Sequence, residues 1–158
     1  NTHSQAWLKS LANVLQTGGI ILVDYGYSER EYFHPQRNKG TLMCHYRHHS
    51  HDEPFYLPGL QDITAHVNFS DIAQVASKHK LELQGYTTQA HFLMSGGLQE
   101  LSEQFDLTDT LKLAELSRQI KMLTLPSEMG ELFKVIAFSK NIDKPISGFD
   151  FINMQDKL

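Results

Sequence analysis

The run Ile20-Ile21-Leu22-Val23, closed by Asp24-Tyr25-Gly26-Tyr27, constrains this chain more than any other stretch. Four aliphatic residues without a polar break, with glycines on both sides, suit a strand buried on both faces, as in a parallel sheet flanked by helices. In open α/β sheets, ligands bind just past the carboxyl ends of such strands. Asp24, Tyr25 and Tyr27 stand there, and Gly26 is expected to let the backbone turn sharply. Upstream, Trp7, Leu8, Leu11, Val14 and Leu15 recur at helical spacing over residues 5–17, with Ser4 placed to cap the helix and Gly18 to end it. Helix, Gly18-Gly19 and strand form the second half of an α/β unit, so a preceding strand is expected. The chain opens on Asn1 rather than Met and reads as a fragment.

Residues 28–69 are long, polar and rich in His, Tyr and Arg, broken by Pro35, Pro54, Pro58, Gly40 and Gly59. Connections of this length inside a domain are usually lids or binding loops; a surface excursion without a role is the alternative. Residues 41–46 suit one short strand. A helix is expected from Ser70 to about Lys80, with Asp71 in its first turn. A strand follows from Glu82 to Gln89, then a short apolar stretch from Ala90 to Met94. Two helices come next: Leu98 to Phe105, and one capped by Thr108 or Asp109 and running to about Leu123. Leu111, Ala114, Leu116, Ile120 and Leu123 would form the buried face of the second. Leu132 to Phe138 is a second strongly apolar strand, and residues 141–158 read as an irregular tail.

The balance of residues excludes some functions. A net charge of −4 argues against a nucleic-acid surface spread over the whole chain. A single cysteine, Cys44, rules out an internal disulfide and suits a reducing compartment. It reads as a small buried hydrophobe, with a reactive thiol as the alternative. No apolar run approaches the ~18 residues of a membrane span.

Two constellations could carry chemistry. His45, His48, His49 and His51 precede Asp52 and Glu53. Imidazole and carboxylate suit zinc or iron. Neither cysteine pairs nor a helical His pair accompanies them, so the expectation is no metal and a polar loop that titrates with its histidines. From Asp62 the pattern alternates: Asp62, Thr64, His66 and Asn68 on one face, Ile63, Ala65, Val67 and Phe69 on the other. Such a face could hydrogen-bond a substrate or pass a proton, or be a plain half-exposed strand. No G-x-S-x-G elbow supports a hydrolase.

Taken in order, Val23-Asp24-Tyr25-Gly26, Lys39-Gly40-Thr41-Leu42, Gln61-Asp62-Ile63-Thr64-Ala65-His66-Val67, Gly85-Tyr86-Thr87-Thr88-Gln89 with Phe92-Leu93, and Glu128-Met129-Gly130-Glu131-Leu132-Phe133-Lys134-Val135 resemble the MidA-like family of S-adenosylmethionine-dependent methyltransferases. Its mitochondrial members act as complex I assembly factors and methylate a protein arginine. The match spans about residues 19 to 140, and the Asp62–Val67 block is its most specific part. The resemblance implies an α/β fold, the C-terminal part of a class I (Rossmann-like) methyltransferase sheet. Ile20 to Asp24 would be its fifth strand, and Glu82 to Gln89 and Leu132 to Phe138 its last two, the latter antiparallel. Residues 1–27 and 70–140 would form the core, and 28–69 an inserted substrate-side lid. The cofactor implied is S-adenosylmethionine, whose acidic residue and Gly-rich turn have no counterpart here and are expected upstream.

The acceptor implied is a protein arginine. A guanidinium with a pKa above ~12 needs a carboxylate to hold it and orient one nitrogen. Asp24 and Asp62 are the candidates, with His66 beside them as a third catalytic residue; Tyr25, Tyr27 and Thr64 would line the acceptor channel. The resemblance places the protein in a bacterial cytoplasm or, as the alternative, the mitochondrial matrix. A reading from another class is a protein-interaction module whose 28–69 segment grips a partner without chemistry of its own.

Overall fold

The computed structural model describes residues 1–47, 49–105 and 109–158. His48 of the histidine cluster and Thr108, a proposed helix cap, lie outside the described residues. Helix α1 spans Thr2–Val14. Its cap is Asn1 rather than Ser4: the Asn1 Oδ1 accepts from the His3 and Ser4 amides at 3.2 and 3.3 Å. Strand β1 then runs Gly18–Tyr27, longer than the apolar run alone.

The polar segment that follows builds structure of its own. Helix α2 (Glu29–Tyr32) leads to β2 (Leu42–Tyr46), β3 (His49–His51) and β4 (Asp62–Ala65). These strands form an antiparallel sheet of order β3-β2-β4. A two-residue strand β5 (Val67–Asn68) returns the chain to β1, in parallel, pairing Gly26 with Val67 and Tyr27 with Asn68. This contact explains Gly26. The strand does not turn there; a Cβ on Gly26 would sit 2.3 Å from the Val67 carbonyl oxygen and 2.6 Å from the Phe69 ring. Glycine is needed for close approach, not for a bend.

Helix α3 (Phe69–Lys78) is capped by Asn68, whose Oδ1 accepts from Ser70 and Asp71 amides. Strand β6 (Glu82–Thr88), α4 (Gln89–Ser95), α5 (Leu98–Glu103), α6 (Thr110–Thr124), α7 (Met129–Leu132) and β7 (Phe133–Lys140) complete the regular elements, with a 3-10 turn at Gln155–Lys157. The main sheet has order β5-β1-β7-β6, and β7 is antiparallel to both neighbours. The second apolar strand is therefore inserted and antiparallel, as the family resemblance implies.

One face of this sheet carries the larger core. Leu8 and Ala12 of α1 and Phe69, Ile72, Val75 and Ala76 of α3 pack on Ile20, Leu22, Tyr86, Ile136 and Phe138. Val135 and Ala137 face the other way, under Phe149, Phe92 and Ile146. That second cover stops short of β1. Ile21 and Val23 are about half exposed, so β1 is buried on one face rather than both. Its outer edge pairs only through Gly26 and Tyr27 among the described residues. Helix α6 also departs from its pattern. Leu116, Ile120 and Leu123 are half-buried, but Leu111 and Ala114 face outward. The last residues are irregular yet packed: Phe149 is buried, and the Met154 amide donates to the Tyr86 carbonyl at 2.7 Å. No helix among the described residues is long and apolar enough to cross a membrane.

Candidate functional site

Strand pleating sends Asp24 and Tyr25 to opposite sides of β1. Asp24 is exposed and lines a groove with Trp7, Val23, Ala65 and Val67. Its Oδ1 accepts the Tyr25 amide at 2.7 Å, which fixes the carboxylate locally. Tyr25 packs on Phe133, its cross-strand partner, with ring centroids 4.0 Å apart.

His66 sits where β4 ends and β5 has not begun. Its ring stacks on Tyr27 at 5.0 Å and meets the edge of Tyr25 at 6.3 Å. Its Nδ1 lies 3.1 Å from the Thr41 carbonyl oxygen, which also receives the His66 amide. A carbonyl only accepts, so Nδ1 must carry the proton. In the neutral ring, Nε2 is then the free lone pair.

Asp62 and Thr64 share one face of β4, and β2 lies alongside with His45 opposite Asp62. A cleft of about 550 Å³ is lined by Tyr25, His45, Arg47, Asp62 and Thr64. A smaller one, about 210 Å³, adds Met43, Ser50, His66 and Leu132. Tyr25, His45 and Thr64 line both, so the two adjoin. The fold thus brings Tyr25 and Thr64 together with Asp62 in the larger cleft and with His66 in the smaller one, and Tyr27 lies behind His66. Asp24 opens into a different groove, and Asn68 is spent on capping α3. His45 and Arg47 are additions. The signal for them was the antiparallel pairing of β2 with β4, a long-range contact that local patterning does not carry. Among the described residues no three of His, Cys, Asp or Glu converge as metal ligands would.

A glycine-rich turn between a strand and a helix is the usual cradle for a nucleotide-like cofactor. Glycines with left-handed φ are Gly18, Gly40, Gly59, Gly97 and Gly148. Gly18 opens β1, Gly40 and Gly59 lie within the polar segment, Gly97 joins α4 to α5, and a Cβ on Gly148 would strike Phe92. None of them links a strand to a helix, so the described residues do not fit S-adenosylmethionine in that way.

Residues 1–87 match the family described as "Putative S-adenosyl-L-methionine-dependent methyltransferase". The chain belongs to this family. It is similar to a COG1565 superfamily member from Burkholderia thailandensis, solved bound to S-adenosyl-homocysteine. Identity is 42% and the TM-score 0.94 over 98% of this chain and 40% of that one. A native structure of a COG1565 protein from the same organism gives 42% identity and a TM-score of 0.93. Among curated proteins it is similar to the mitochondrial protein arginine methyltransferase NDUFAF7 of Danio rerio, 28% identical over 93% of this chain and 36% of that protein. The same protein of Rattus norvegicus is 33% identical over 78% of this chain and 27% of its own length. The chain therefore spans about a third of these curated relatives. Its mixed sheet, with an antiparallel strand inserted beside β1, is that of a Rossmann-like methyltransferase.

Proposed function

We propose that this chain forms the acceptor side of an S-adenosylmethionine-dependent protein arginine methyltransferase. The observation that carries the reading is the cleft at the carboxyl end of β1, where Asp62, Thr64 and Tyr25 converge beside His66. Its support is the close likeness to a relative bound to S-adenosyl-homocysteine and the arginine methyltransferase names of the curated relatives. The cofactor would supply the methyl group; the residues described here act on the acceptor. Asp62 holds the guanidinium, and the Thr64 hydroxyl accepts a further N–H. Tyr25 offers a ring to the flat cation. Nε2 of His66 is placed to take the proton that the reacting nitrogen sheds. Asp24, across the strand, is the second carboxylate at the mouth of the sheet. The segment 28–69 roofs the cleft as a lid. The buried, unpaired Cys44 supports a reducing compartment, with the bacterial cytoplasm as the reading.

A second reading rests on another observation. Phe33, Phe55, Tyr56, Leu60 and Ile63 of the same segment are all exposed. Such a surface suits a protein-binding module without chemistry. Calorimetry with S-adenosylmethionine, on this chain and on the intact gene product, separates the two. Binding by the intact product supports the methyltransferase; no binding by either favours the module.

A further inference from the structure

Beside the acceptor cleft lies a second cavity of about 610 Å³, at the carboxyl ends of β1 and β6. Tyr27, covered by His66 on one side, and Leu132, which lines both spaces, stand between the two. The cavity's inner wall includes Tyr86, only 1% exposed, whose Oη is buried with no hydrogen-bond partner among the described residues. A native interior rarely leaves a phenol unpaired, because it has given up water for nothing. Lys134 enters from the start of β7. One of its three donors reaches the Glu131 carbonyl, and burial lowers its pKa. Arg37 lays its guanidinium 3.9 Å over the Tyr27 ring and uses Nε on the Glu31 carbonyl, and its terminal nitrogens bond to none of the described residues.

The cavity therefore holds several donors, and none of its own acceptors, Glu31 and Glu131 included, is bonded to the phenol. Its charges narrow the choice. Lys134, Arg37 and Lys157 face Glu31 and Glu131, which leaves one positive charge uncompensated. A single carboxylate neutralises that charge, whereas a phosphate dianion would overshoot it.

We propose that this cavity is a carboxylate-binding site, and that its occupant is a glutamate or aspartate side chain of the protein acceptor seated in the neighbouring cleft. The first clause stands whether or not methyl transfer occurs; the second rests on the acceptor reading above. The site would then choose arginines that lie near an acidic residue.

The test is an NMR titration of the intact gene product with N-acetyl-glutamate N-methylamide, its glutamine counterpart, acetate and inorganic phosphate, following the Tyr86 ring and Lys134 side-chain signals. The glutamate probe is expected to bind and the glutamine one not to. Tyr86→Phe should weaken the glutamate probe by about tenfold or more, the worth of one hydrogen bond to a charged group. The same variant should raise the Tm of the free protein, since it removes an unpaired buried hydroxyl. Arg37→Gln, which leaves Tyr86 in place, should weaken the probe as well. Equal binding of the glutamine probe, tighter binding of phosphate, or unchanged affinity in both variants overturns the site. Acetate binding more tightly than the glutamate probe overturns the side-chain occupant, without bearing on whether the protein methylates arginine.

Discussion

The imidazole of His66 lies on the ring of Tyr27, with centroids 5.0 Å and planes 28° apart, while its Nδ1 is held by the Thr41 carbonyl. The stack and the hydrogen bond together fix the ring's orientation and tautomer. His66→Phe would keep the stack and remove both nitrogens. If Nε2 takes the acceptor's proton, kcat for an arginine peptide should fall about a hundredfold or more, with little change in Tm. Wild-type kcat in this variant would remove His66 from the chemistry.

Asp24 on β1 and Asp62 on β4 line different clefts and share no hydrogen bond among the described residues. If Asp62 holds the guanidinium as proposed, Asp62→Asn should raise KM for an arginine peptide by about tenfold, since a charged hydrogen bond becomes a neutral one. The Asp24→Asn effect should simply add to it, as it does for sites without shared partners. Non-additivity in the double variant would mean that both carboxylates grip one guanidinium, and unchanged kinetics in all of them would end the acceptor assignment.

Parts of this arrangement were legible in the sequence for physical reasons. The apolar runs of β1 and β7 need a sheet, and β7 lies buried between its neighbours as its composition requires. The Asp62–Thr64 face follows from the two-residue strand period. Other parts were not legible. Periodicity locates an apolar stripe but not its cover, so it gave no sign that Ile21, Val23 and Leu111 would stay exposed. The packing of Phe149 and Met154 has no local period to read, because an irregular chain buries single residues by shape. Gly26 looks like a turn residue in Asp-Tyr-Gly, and only its spatial neighbour Val67 reveals why it lacks a side chain.

Gly26→Ala follows from that contact. The new methyl would strike backbone as well as the Phe69 ring, and backbone yields little. A loss of about 1–3 kcal/mol is expected from overpacking, read as a lower midpoint in urea. Because Gly26 lies between Tyr25 and Tyr27, activity should fall further than stability alone explains. A variant as stable as wild type would show that β1 and β5 lie further apart.

Tyr86 predicts how stability responds to alkali. Burial raises the pKa of its phenol above the ordinary value of 10.0, with the Glu31 carboxylate adding to the effect. The folded protein therefore keeps the proton where the unfolded chain releases it. Ionisation of the phenol costs the fold nothing below pH 10.0, and stability declines as the pH rises above it. In Tyr86→Phe this part of the decline should vanish, so its unfolding midpoint should fall less steeply above that pH. Parallel profiles for the two proteins would mean that the phenol ionises as readily folded as unfolded.

The outer edge of β1 gives the last expectation. From Gly18 to Tyr25 its backbone pairs only with β7 among the described residues, and Ile21 and Val23 are about half exposed on the face beside that edge. An unpaired, apolar edge is a template for another strand, and proteins usually blunt such edges with charge. Here Trp7, also half exposed, lines the groove along the same strand and adds to the sticky surface. Expressed alone, the chain should self-associate in a concentration-dependent way, measurable by sedimentation velocity. Val23→Lys puts a charge on the exposed face without touching the α1–α3 core, so it should shift the chain toward monomer at unchanged helix content. If Val23→Lys instead unfolds the chain, that face is packed rather than bare. If the wild type stays monomeric at high concentration, the edge is protected by something other than charge.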